Sequence, residues 1–94
     1  MAEDLPLSPI PEDPAGIAAL IQASLSAAAG EGVRPVSLSL DFGPACGAVR
    51  EGRLEARIDR QTRSLAFVRA RLAAADGRLV AAASAVFARP PAKA

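Results

Sequence analysis

The sequence predicts an α+β domain in which one helix packs on a four-stranded antiparallel sheet. Three observations predict it. Residues 14–29 repeat apolar side chains at helical spacing between a start signal, Asp13-Pro14, and a stop signal, Gly30. Four later runs either alternate apolar and polar residues or stay apolar throughout, as strands do. Gly and Pro breaks separate those runs, and Asp76-Gly77 between the last two is a hairpin signal, because both residues tolerate positive φ.

Each element has its own local reason. Pro6, Pro9 and Pro11 prevent a regular helix in residues 1–12, which read as a flexible or extended arm. Asp13 accepts hydrogen bonds from free amides as the N-cap, and Pro14 suits the first helical position. Ile17, Leu20, Ile21, Leu25 and Ala28 then share one helix face. Gly30 supplies the left-handed residue that ends it. In the first predicted strand, 35–42, Val36, Leu38, Leu40 and Phe42 alternate with Ser37, Ser39 and Asp41. In the second, 53–59, Leu54, Ala56 and Ile58 alternate with Arg53, Glu55 and Arg57. The third, 64–72, begins apolar on both faces and ends alternating. The fourth, 79–88, is apolar nearly throughout, which predicts a central strand covered on both sides. Residues 13–90 are thus expected to form one domain, and 91–94 a disordered tail.

Composition narrows the function classes. The 94 residues are 51% apolar, but alanine supplies much of that, and there are only three Phe and no Trp or Tyr. A thin core is expected, with oligomerisation as a supplement. The formal net charge is +1, from eleven basic and ten acidic residues that are interspersed, which argues against electrostatic binding to nucleic acid. No apolar stretch reaches membrane-spanning length. The acidic, proline-rich start lacks the basic and apolar regions of a signal peptide, so a cytoplasmic location is expected. With no histidine, a Ser-His-Asp triad, a Cys-His pair and a histidine metal site are all excluded within this chain. The sequence implies no cofactor.

Residues 52–90 resemble the last three strands of hot-dog acyl-CoA thioesterases, especially the phenylacetate-degradation type. The runs that carry the resemblance are T-R-S-L-x-F, from Thr62 to Phe67, and D-G-x-L-V-A, from Asp76 to Ala81. S-L-S-L-D-F-G-P-A, residues 37–45, is similar to the strand that follows the family's helix, and residues 16–30 are similar to the helix itself. The resemblance implies strand order 2-3-4-1, counted along the four predicted strands. It leaves the second strand as a bare edge that invites pairing with another chain, hence a homodimer or higher oligomer. It also implies an acyl-CoA or other acyl thioester as ligand. Two departures stand out. Family members place a strand pair before the helix, where this chain has only its arm, so the chain is either a natural short form or a fragment of a longer hot-dog protein. The family's His-Gly-Gly segment at the helix start reads Pro14, Ala15 and Gly16 here, and its helix acid falls at Ala23.

Thioester hydrolysis needs an activated water or a nucleophile, together with donors for the oxyanion. Gln22 and Ser24 flank the acid position and are the candidate catalytic residues. Gln22 is able to orient a water but is a poor base, and Ser24 has no histidine partner. The plain alternative makes Gln22 solvent-facing and Ser24 a small packing residue. Gly16 offers a backbone amide at the helix N-terminus, where the dipole favours negative charge. Arg60, Arg63 and Ser64, at the reversal between the second and third strands, are candidates for the CoA phosphates, which arginine binds through paired donors. Otherwise they form a solvated turn. The acyl group is expected between helix and sheet. Asp41 and Asp59 read better as solvated strand residues than as bases. Cys46 has no histidine in the chain to activate it as a thiolate. Two functions remain: an acyl-CoA thioesterase-like protein with a degenerate site, and a non-catalytic hot-dog domain that binds an acyl group or a partner protein.

Overall fold

The computed structural model describes residues 5–90. The expected tail, 91–94, and the first four residues of the expected arm lie outside the described residues. The elements are β1 (Ser8–Pro9), α1 (Pro14–Ala29), β2 (Arg34–Phe42), β3 (Glu51–Gln61), β4 (Leu65–Ala74) and β5 (Leu79–Ala88). One antiparallel sheet holds the strands in the order β1-β3-β4-β5-β2, and α1 lies across one face of it.

The sheet has five strands, not the four expected. The additional strand is β1, in which Ser8 lies opposite Gly52 and Pro9 opposite Glu51. Its prolines hid it, because period-two alternation needs longer runs than two residues. Proline is tolerated there because β1 is an edge strand. Ile10 follows β1 into the core at 5% exposure, its amide bonded to the Arg50 carbonyl at 2.9 Å. The Arg53 guanidinium donates to the Leu5 carbonyl at 3.0 Å. The remaining four strands follow the order that the resemblance implied.

Helix α1 begins where Asp13 and Pro14 predict. The Gly16 amide donates to the Asp13 carboxylate at 3.3 Å, and Gly30, with φ 105°, ends the helix with its amide on the Ser26 carbonyl. Ile17, Ile21, Leu25 and Ala29 form the buried face. Leu20 and Ala28, expected beside them, are only half-buried. The helix packs mainly on β3 and β4, and less on β5 and β2. Its floor is largely alanine: Ala66, Ala70, Ala81, Ala83 and Ala85 all lie buried beneath it with Val68, Leu72 and Phe87. Small side chains let the helix approach closely. Each fully buried Ile or Leu contributes on the order of 1.5–3 kcal/mol by leaving water.

Strand β5 is covered on one face only. Ala81, Ala83, Ala85 and Phe87 are buried under the helix, whereas Ala82 and Val86 are half-buried on the outer face and Ser84 is exposed there. The expectation of cover on both sides is corrected, because a single helix has only one face of the sheet to occupy. The hairpin between β4 and β5 forms as its sequence predicts. The Asp76 carboxylate accepts from the Arg78 amide at 3.0 Å and from the Arg78 guanidinium at 2.8 Å. The amide bond and the guanidinium hold the Asp76 carboxyl below its ordinary value. Among the described residues, no helix is long and apolar enough to cross a membrane.

Candidate functional site

The sequence-predicted site residues fall into three separate places. Gly16 sits at the start of α1, against Pro11. Its amide is already engaged by Asp13, so this donor is not free for an oxyanion. Gln22 is exposed in the middle of the helix, and Ser24, two residues along, is half-buried. The side-chain hydrogen bonds among described residues give neither of them a partner that would activate it. No group of three or more metal-binding side chains forms among the described residues.

Arg60, Arg63 and Ser64 do come together, at the opposite end of the molecule. A helix of 16 residues spans about 24 Å, which sets the scale of the separation from Gly16. The turn that presents them is built on Thr62, whose hydroxyl accepts from the Leu65 amide at 3.0 Å while its own amide donates to the Leu65 carbonyl at 2.8 Å. Arg60 lies over the Phe67 ring, 6.0 Å from its centroid, which fixes the guanidinium near the outer face.

Two further arginines join this end, and sequence reasoning missed both. Arg89 donates from its amide to the Ser64 carbonyl at 2.8 Å and from its guanidinium to the Thr62 carbonyl at 2.7 Å. Arg34 opens β2 opposite Ala88, and Leu65 flanks Ala88 on the other side, so Arg34 starts level with the Ser64 turn. Only the strand order brings these residues to one place, and no local motif announces it. Asp59 directly precedes Arg60 but pairs with Arg69 at 3.0 Å, and Glu31 lies three residues before Arg34, so four arginines outnumber the carboxylates here and the end as a whole is basic. Such a cluster can accept phosphate groups through charge-assisted, paired hydrogen bonds.

The space between helix and sheet is filled. Ile17, Leu25, Ala66, Leu72 and Ala81 there have no exposure at all. The acyl position expected in that space is therefore corrected. Accessible apolar surface lies at its margin instead, on β2, where Leu38 is 45% and Phe42 46% exposed on the helix side of the sheet. A groove of about 350 Å³ also runs over the outer face, floored by Ala82 and Ser84 and walled by Arg69, Arg71 and Asp41.

The crystal structure of the BH2602 protein from Bacillus halodurans with CoA superimposes on this chain with a TM-score of 0.67, covering 87% of this chain and 68% of that one. The fold is hot-dog-like. At 18% identity the likeness concerns the backbone and not the site. No protein-family profile matches the sequence, and no curated protein matches it either. Within the hot-dog-like frame, the outer-face groove, the edge strand β2 and the basic end all present exposed side chains.

Proposed function

We infer that this chain is an acyl-CoA thioesterase-like protein that binds acyl thioesters and turns them over weakly or not at all, as a homodimer or higher oligomer. The observation that carries this reading is the convergence of Arg34, Arg60, Arg63 and Arg89 at one end of a hot-dog-like sheet. The similar Bacillus halodurans structure was determined with CoA, which supports the choice of ligand. The arginines suit the nucleotide phosphates, and the apolar margin of β2 suits the acyl chain. Hydrolysis lacks a positioned base: α1 has no carboxylate side chain, position 23 is alanine, and the chain has no histidine.

Titration calorimetry with CoA and with short, medium and aromatic acyl-CoAs tests the binding, and thiol release from the same compounds tests turnover. Binding is expected without thiol release above the buffer rate. Arg63→Ala and Arg60→Ala should each weaken binding by about tenfold, the scale of one charge-assisted hydrogen bond to phosphate. Rapid turnover that disappears in Gln22→Ala or Ser24→Ala would restore a competent enzyme. Absence of both binding and turnover would leave the non-catalytic, partner-binding domain as the surviving function.

A further inference from the structure

Strands β3, β4, β5 and β2 carry two rows of facing side chains on the sheet surface away from the helix. One row runs Arg57, Arg69, Ser84, Ser39, each opposite the next across the sheet. The neighbouring row runs Glu55, Arg71, Ala82, Asp41. These residues line the groove of about 350 Å³, and all but Ala82 are exposed. Arg57 and Arg69 face each other directly, an arrangement that their like charges oppose. Arg71 follows on the same face of β4, about 7 Å along the strand from Arg69. The ion pairs between described residues include none of Arg57, Arg71, Glu55 and Asp41. The Arg69 guanidinium gives one nitrogen, Nη2, to Asp59 at 3.0 Å, which leaves its other donors open.

We propose that this groove binds a sugar phosphate, with the phosphate on Arg57, Arg69 and Arg71 and the sugar hydroxyls on Ser84, Ser39 and Asp41. A phosphate dianion between Arg57 and Arg69 turns their repulsion into a shared attraction through paired N–H donors. Arg71 adds a third cation. Glu55 and Asp41 stand at the two ends of the second row, and the three guanidiniums outnumber them. Arg69 and Ser39 lie two strand spacings apart, roughly 10 Å, which is the reach of a six-carbon sugar phosphate. The two serine hydroxyls donate and accept there, and the Asp41 carboxylate accepts. Ala82 between them leaves room for the sugar ring. An apolar chain in the same place would strip water from Asp41 and both serines and return no hydrogen bond, which selects against it. None of the four arginines assigned above to CoA lines this groove, so either site can fail while the other stands.

Titration calorimetry and thermal melts in a phosphate-free buffer of constant ionic strength test it, with glucose 6-phosphate, ribose 5-phosphate, glucose and inorganic phosphate as probes. At least one sugar phosphate is expected to bind about tenfold more tightly than inorganic phosphate, and to raise the melting temperature as a ligand of the folded state does. Glucose alone should not bind. Arg57→Ala and Arg71→Ala should each weaken both kinds of phosphate by about tenfold. Asp41→Ala should weaken the sugar phosphate by about tenfold and spare inorganic phosphate. Loss of a negative charge by itself would strengthen the binding of an anion, so this weakening reads hydroxyl recognition alone. All three side chains are exposed, so circular dichroism should show an unchanged fold. Three results would each overturn the proposal: no sugar phosphate binding more tightly than inorganic phosphate, Asp41→Ala binding the sugar phosphate as well as the native chain does, or Arg57→Ala losing CoA by the same factor as the sugar phosphate.

Discussion

Leu25→Asp is expected to unfold the domain at ordinary temperature. Leu25 has no exposure, and it stands between α1 and the alanine floor with no polar side chain buried beside it. A carboxylate there has neither water nor a partner. Its cost of several kcal/mol is comparable to the whole stability of a small domain, about 5–15 kcal/mol. Leu25→Ala should instead cost about 2–5 kcal/mol, the ordinary range for a cavity left by leucine, and should leave a folded protein. Arg57→Ala, on the exposed outer face, should change stability by less than about 0.5 kcal/mol. Thermal melts of the three variants check the order. If Leu25→Asp melted with the native chain, the assignment of the buried helix face would be wrong.

Gly43→Ala is the second substitution with a large expected effect, although it adds only one methyl group. Gly43 ends β2 where the chain turns closely over β5, with its amide on the Val80 carbonyl at 2.9 Å. A Cβ at this position would stand against the Leu79 carbonyl oxygen, with the Leu79 carbonyl carbon and Cγ each at 2.8 Å. Most of that obstruction is backbone, which cannot swing aside as a side-chain tip can. The variant is expected to lose about 3 kcal/mol, at the upper end of the usual range for overpacking. Gly77→Ala is a useful contrast, since a Cβ there meets nothing within 4 Å and only its φ of 93° opposes the change. Denaturant titration should show Gly43→Ala as the more damaging of the two.

The sequence made the helix and four of the strands legible because each carries its own local signal. Asp13 and Gly30 mark the helix ends, and Val36 to Phe42 alternate cleanly. Strand β1 stayed hidden because two residues hold no period, and its pairing with Gly52 spans more than forty positions of chain. The half-buried state of Leu20 was equally hidden, since helical spacing names a face but not how far a sheet extends beneath it. At the candidate site, Arg60, Arg63 and Ser64 were legible as neighbours in one turn. Arg34 and Arg89 were not, because topology brings them to that turn and sequence distance conceals it. The separation of Gly16 from the arginines escaped for the same reason.

The alanine floor under the helix also bears on how this protein responds to temperature. Unfolding raises heat capacity in proportion to the apolar surface it exposes, and each alanine exposes little. Here Ala66, Ala70, Ala81, Ala83 and Ala85 take positions that larger aliphatic side chains could fill in a deeper core. The heat-capacity increment measured by scanning calorimetry should fall below the roughly 12–15 cal/mol/K per residue of ordinary domains. A smaller increment flattens the curve of stability against temperature. A modest margin of stability would then change slowly on cooling or warming, with cold unfolding pushed further below freezing.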